Sequence, residues 1–324
     1  MISVFINDIY RMKQEKARII LTFVMIGAAI AAAVFFASRP YSAGNIALAA
    51  EDGANTISSE ILNITVLDEE PPFSELVRNR YDAVITADRD GHYEITTIKS
   101  ESFKQELEQI LTQSGEQEDY SGSGRGMAAT ILGYMTMFIM MLGVSMMFLF
   151  SDDKEKKQIE RVAAAPISFS GYLAAHGIFI FGTIYLPSLI WLSIAAVIPG
   201  IDLGLPLWQY GLLLALICGV SVAFSLFLNS LIHGTDSANM TGSALTVLTS
   251  ILAGGFYAFE EGNKILETVI RILPQKAFFT VVETVEANQH LGECLPSLLF
   301  IIIAIIGMVG FAAVKTRRDY VYSI

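Results

Sequence analysis

Six apolar runs, at residues 17–38, 127–150, 171–197, 208–230, 238–259 and 294–314, restrict what this chain can become. A helix rises about 1.5 Å per residue and a bilayer's hydrocarbon core is about 30 Å thick, so about 20 residues let each run cross. The expected fold class is an α-helical integral membrane protein with six transmembrane helices. A charged content of 16% agrees, since soluble domains carry about 25%. Arg11, Lys13, Lys16 and Arg18 precede the first run as they would precede a signal peptide. Its apolar part is longer than the about 7–15 residues of such peptides, so it reads as a retained span.

Basic residues near the span ends orient the chain. Residues 1–18 carry four, 151–170 carry four, and 315–324 contribute Lys315, Arg317 and Arg318, whereas the loop 198–207 has none. By the positive-inside rule both termini (the tail being 315–324) and the 151–170 segment are cytoplasmic. Residues 39–126 are then an extracellular domain and linker, and 260–293 face the same side. The net charge of −11 lies almost wholly outside: residues 39–125 hold 17 acidic and 7 basic side chains. The remainder is close to neutral, which argues against nucleic-acid binding. Cys218 and Cys294 fall in or beside apolar runs, and residues 39–125 contain no cysteine, so no disulfide framework supports that domain.

Between the runs the patterning changes. Residues 1–16 space Ile2, Phe5, Ile6, Ile9 and Met12 as one helical stripe opposite Asn7, Asp8, Arg11, Lys13 and Gln14. This predicts an amphipathic helix at the inner membrane surface, leading into the first span. Within 39–126, alternation predicts strands at Glu60–Leu67, Tyr81–Ala87 and His92–Lys99, with a short helix at Phe73–Asn79. A further helix beginning at Ser100 or Ser102 would bury Phe103, Leu107, Ile110 and Leu111, completing a small α/β domain. The segment 260–293 has two apolar stripes separated at Leu273-Pro274, each too short to cross. It reads as a re-entrant helical hairpin before the sixth span.

Two spans invite a functional reading. Seven of the twelve methionines lie in the second, and Met137 and Met141 are candidates for an adaptable wall of a translocation path. Ordinary packing or lipid contact is the plainer explanation, because the methionines fall on more than one helix face. Thr246 and Thr249 of the fifth span are further path candidates. The hydroxyl and small residues around them also suit a helix–helix interface, within one subunit or between two.

Catalytic signatures are missing from the chain. The four histidines have no metal-ligand spacing, and no nucleotide-binding loop, zinc-protease motif or nucleophile elbow occurs. His176 is the only ionisable residue expected within a span, and it reads as a residue at the membrane edge. With no carboxylate at depth to carry a proton or sodium relay, a transporter of this kind needs an outside energy source. The charged stretch 151–170, too elaborate for a simple turn, is the expected contact for one.

Three stretches carry a resemblance. They are Asn7-Asp8-Ile9-Tyr10-Arg11 with the basic residues to Arg18; Lys156-Lys157-Gln158-Ile159-Glu160-Arg161 followed by Ala165-Pro166-Ile167-Ser168; and Gly254-Gly255-Phe256 followed by Ile272-Leu273-Pro274. Arg78-Asn79-Arg80-Tyr81-Asp82-Ala83-Val84-Ile85 adds to them. In order and spacing the chain resembles the membrane (permease) subunit of ABC exporters of the six-span, type-2 class. It departs at Glu260-Glu261-Gly262, where many relatives have a proline.

The resemblance implies a separate ABC ATPase subunit that holds ATP and magnesium, no cofactor on this chain, and a dimer with a second permease, identical or similar, in the cell membrane among its lipids. It makes 151–170 a cytoplasmic coupling helix, with Glu155, Lys156, Glu160 and Arg161 as ATPase-coupling candidates and Pro166 as the break before the third span. The expected activity is export of an amphipathic or lipophilic compound: a peptide antibiotic, a drug or a lipid. The alternative is a non-transporting membrane receptor or scaffold that binds through its acidic ectodomain.

Overall fold

A computed structural model describes residues 2–37, 44–50, 62–67, 71–77, 80–87, 93–98, 104, 107–108, 126–163, 168–201, 203–255 and 264–320. The chain divides into two units: Met1–Ser38 with Arg125–Ile324, and Arg39–Gly124.

The smaller unit is built on a four-stranded sheet in the order β2-β1-β3-β4, with β1 Gly44–Ala50, β2 Leu62–Leu67, β3 Ala83–Ala87 and β4 Tyr93–Thr97. Strand β1 pairs in parallel with both β2 and β3, and β3 pairs antiparallel with β4. Three strands stand where alternation predicts them. The central strand β1 was not expected, because Gly-Asn-Ile-Ala-Leu-Ala-Ala has one β-branched residue and little alternation. Its Ile46, Ala47 and Leu48 are nonetheless buried, and the short helix α3 (Phe73–Val77, third in chain order) packs Leu76 against Ala47 and Val84. Of the helix expected from Ser100, Leu107 is buried, while Phe103, Ile110 and Leu111 lie outside the described residues.

The larger unit is helical. Helices α1 (Ile2–Gln14) and α2 (Lys16–Ala37) precede the sheet. After it come α4 (Met127–Met146), α5 (Phe148–Glu155), α6 (Gln158–Ala163), α7 (Phe169–Val197), α8 (Leu207–Leu231) and α9 (Thr235–Leu252). Helices α10 (Lys264–Ile272), α11 (Pro274–Glu286) and α12 (Leu291–Tyr320) close the chain. Among the described residues, five stretches are long and apolar enough to cross a membrane: Lys16–Ala37, Met127–Glu155, Phe169–Val197, Leu207–Leu231 and Gly292–Asp319. The expected fifth span, 238–259, is not among them. Its helix α9 has 18 residues and opens on Thr235, Asp236, Ser237 and Asn239, which lowers its hydropathy. Residues 256–259 are outside the described set.

Helix α8 is the centre of the packing, flanked by α4, α7 and α12. Small residues set the closest approach. A Cβ on Gly143 of α4 would stand 2.0 Å from Oγ of Ser221, whose hydroxyl donates to the Ile139 carbonyl across the contact at 2.9 Å. Helix α7 starts at Ser168, whose Oγ accepts the Gly171 N–H at 3.3 Å, and runs unbroken through Pro187. The break expected at Leu273-Pro274 is present: Leu273 separates α10 from α11, and Pro274 occupies the first turn of α11, where its missing N–H costs no helical bond. Phe278, Phe279, Val281 and Val282 bury α11 against its neighbours. At its far end the Glu286 carboxylate accepts the N–H groups of Ala128 (2.7 Å) and Ala129 (2.9 Å), capping α4 from another element.

The expected single helix over 151–170 is not one helix. Residues 151–155 belong to α5, which extends the second span past a turn at Met147. Lys156 and Lys157 then form a turn in which Lys157 has φ 53°, a left-handed value that ends the helix. Only Gln158–Ala163 is helical again, and residues 164–167, including Pro166, lie outside the described set.

Gly143→Leu is expected to cost about 1–3 kcal/mol by overpacking the α4–α8 contact, whereas Gly182→Leu, where nothing stands within 4 Å, leaves stability unchanged. Thermal unfolding of the two variants in detergent checks the difference.

Candidate functional site

Polar chemistry in the helical unit converges on the eight residues of α5, Phe-Leu-Phe-Ser-Asp-Asp-Lys-Glu. Its apolar first turn, Phe148, Leu149 and Phe150, is buried and anchors the helix in the core. The polar residues that follow then reach four other helices.

Two of them close helix ends. Lys154 Nζ donates to the carbonyls of Asn229 and, at 2.9 Å, Ile232, at the end of α8. The last carbonyls of a helix lack intrahelical donors and carry partial negative charge, so an ammonium group is suited to that place. Ser151 donates to Asn229 Oδ1 beside it. The next residue in sequence, Glu155, accepts the Thr235 N–H at 2.5 Å, at the first residue of α9. That end carries partial positive charge, so adjacent side chains of opposite sign close a C-terminus and an N-terminus.

Asp153 makes the other set of contacts. Its Oδ1 accepts from Arg11 Nη1 at 2.7 Å, and its Oδ2 accepts from the Tyr172 hydroxyl at 2.6 Å. Arg11 belongs to α1 and Tyr172 to α7. Arg11 also lies 3.8 Å from Asp152, and its Nη2 reaches the Leu149 carbonyl at 3.4 Å. His176, one turn beyond Tyr172, lies between two carboxylates. Its Nδ1 is 2.8 Å from Asp8 Oδ2 of α1, and its Nε2 is 3.5 Å from Asp153 Oδ2. Both are ion-pair contacts whose angles fall outside those of a formed hydrogen bond. The rings of Tyr172 and His176 meet edge to face at 4.6 Å.

Asp8 and His176 are fully buried, and Asp153 keeps 4% of its surface. Charges this far from water persist only when paired, and here two carboxylates face one guanidinium and one imidazole. The cluster joins α1, α5 and α7 through side chains of which only Arg11 keeps appreciable access to solvent. It bears on two sequence expectations. His176, read as a residue at the membrane edge, is the centre of a buried ionic group, and the carboxylates against it come from α1 and α5. The polar face of α1, expected to face water, turns Asp8 and Arg11 into the protein, while Ile2, Ile6 and Ile9 remain exposed.

The coupling candidates separate. Glu155 is engaged within the chain at α9, and Lys156 pairs with Asp152 at 2.9 Å. Glu160 is half-buried and Arg161 exposed on α6, which is held to the core by the fully buried Ile159. Leu273 and Pro274 are half-buried at the α10–α11 break. Met137 and Met141 are half-buried on α4, one helical turn apart. Thr246 is buried, and Thr249 accepts from Gln275 Nε2 of α11 at 2.9 Å, which ties α9 to the helical pair.

Sequence reading missed Asp8, Asp153, Lys154, Tyr172 and Asn229. Asp8 and Arg11 sit three apart and Tyr172 and His176 four apart, so each pair shares a helix face. That spacing was the available signal, but a solvated face explains it equally well.

Residues 5–314 match a family model described as ABC-2 family transporter protein. No curated protein matches the chain.

Asp8→Ala removes the nearer carboxylate and leaves the buried Nδ1 of His176 without a partner while Nε2 keeps Asp153, a change expected to cost about 1–3 kcal/mol. Limited trypsin digestion of the purified chain is expected to cut after Arg11 and Lys13 faster than in the unaltered protein.

Proposed function

The chain belongs to the ABC-2 transporter family, and from that premise we propose that it is the permease subunit of an ATP-driven exporter. In this reading it crosses the cell membrane six times, with both termini cytoplasmic and the sheet unit outside. Helix α9 is then the fifth span: 18 residues reach about 27 Å, slightly short of a typical hydrocarbon core. Its polar first turn stays at the cytoplasmic surface, closed by Glu155. Helices α10 and α11 enter from the outer side and return at Leu273-Pro274, consistent with the proline at the first turn of α11.

The observation that carries the proposal is α5. One short helix is tied to α1, α7, α8 and α9 by side chains on consecutive residues, so displacement at one end reaches four elements together. An ATPase subunit, carrying ATP and magnesium, docks on the turn at Lys156-Lys157 and on α6, where Glu160 and Arg161 are placed to meet it. Glu155 serves inside the permease, transferring the motion to α9. Pro166 marks the return to α7. Two permeases, identical or similar, enclose the path, to which Met137, Met141 and Thr249 contribute. An amphipathic or lipophilic substrate suits apolar walls that lack charge at depth.

Affinity purification of the chain from its native membrane is expected to bring down an ATPase subunit. Glu160→Lys is expected to weaken that assembly and its ATP turnover, while Lys154→Met is expected to preserve assembly and lower only substrate-stimulated turnover. Absence of an ATPase, with the isolated sheet unit holding a ligand, would favour a receptor or scaffold instead.

A further inference from the structure

Helix α1 lies antiparallel along the first turns of α7. Phe5 meets Phe179 edge to face at 5.9 Å, and one turn on, Asp8 meets His176 at 2.8 Å. Val4, Phe5 and Met12 hold its inner face to the core, while Ile2, Ile6, Ile9 and Tyr10 are exposed. The joint between α1 and α7 therefore rests on a small apolar contact and on the ionic group around His176.

Few charges face that imidazole. Asp8 comes from α1 and Asp153 from α5. Arg11 of α1 and the Tyr172 hydroxyl of α7 bind Asp153 at 2.7 Å and 2.6 Å, and the Phe150 ring stands 6.1 Å from the imidazole. Asp152, 3.8 Å from Arg11, is balanced by Lys156 at 2.9 Å. Two buried carboxylates against one guanidinium leave a single negative charge, which an imidazolium cancels. The nearest polar atom to each ring nitrogen is a carboxylate oxygen, at 2.8 Å and 3.5 Å, and only the imidazolium carries a donor on both nitrogens. A neutral ring sets a lone pair against one carboxylate and leaves a charge uncompensated away from water.

We propose that the α1–α7 joint is a pH-sensitive switch: α1 is docked while His176 carries both ring protons and is released when one is lost. The sign follows from the charge count. The docked state holds the extra proton, so rising pH favours release, and a one-proton linkage changes the equilibrium by at most about tenfold per pH unit. In the proposed orientation the joint lies at the cytoplasmic end of α7, so it follows cytoplasmic pH. That assignment of compartment rests on the proposed function; the release itself does not, and it is read on the purified chain without an ATPase.

Spin labels at Tyr10→Cys and Met240→Cys, both exposed positions, with Cys218 and Cys294 replaced by alanine, report the position of α1 by double electron–electron resonance in detergent. One narrow distance distribution is expected at about pH 6, with a second, broader population growing by about pH 9, across the range in which an imidazole changes charge. His176→Gln is expected to show the broad population at both values. Adding Asp8→Asn to it removes the surplus negative charge and restores the narrow distribution at both, so this pair decides the matter should His176→Gln alone fail to fold. A distribution unchanged between the two pH values, or a pH response that persists in the double variant, would overturn the proposal. A pH response in a chain that purifies without an ATPase would count against the transporter reading alone.

Discussion

Capping of two helix ends by consecutive residues, Lys154 on α8 and Glu155 on α9, is the constraint on which the rest of the helical unit depends. Helix termini leave backbone groups unsatisfied, and in a membrane protein those ends need partners wherever water is excluded. Here one short helix supplies the caps by extending a span beyond its apolar length. Because Lys154 and Glu155 are adjacent, the ends of α8 and α9 cannot separate from α5 independently. Asp153 adds α1 and α7 through Arg11, Tyr172 and His176. Asp8, Asp153, Lys154 and His176 are buried, so loss of a partner at any of these leaves a buried polar group short of one, whereas Glu155 closes α9 from the exposed surface.

This geometry changes the picture of how a soluble motor would act on the chain. A continuous lever across 151–170 would transmit force along one rod. Instead, the chain breaks at Lys156-Lys157, so the outer piece, α6, and the inner piece, α5, are distinct. Helix α6 is short and rests on Ile159, while α5 is clamped on several sides. Force received at α6 would pass through the turn into a block of helix ends. Bending within α8 and α9 would then follow from displacement of their ends. Glu286, which caps α4 from α11, performs a comparable bonding role at the opposite end of α4.

Legibility in the sequence followed the strength of local signals. Apolar length exposed five membrane-length helices, and proline chemistry exposed the break at Leu273-Pro274. The weaker fifth run shows the limit: Thr235, Asp236 and Asn239 dilute a helix whose packing depends on small residues such as Gly242. Strand β1 escaped notice because alanines at its centre carry no β-signature and are selected by close packing between two neighbouring strands. The ionic cluster was hidden for another reason. Asp8, Asp153 and His176 lie more than a hundred residues apart in part, and each has an innocent local explanation. Only the crossing of α1, α5 and α7 gives them one environment.

The rigid joining of α5 to α9 is most directly tested by a distance distribution. Spin labels at Lys156→Cys and Met240→Cys, with Cys218 and Cys294 replaced by alanine, report on it by double electron–electron resonance. A narrow distribution is expected in the otherwise unaltered chain, broadening when Lys154→Met and Glu155→Gln remove both caps. A distribution that is already broad with the caps present, or one that stays narrow without them, would contradict the account.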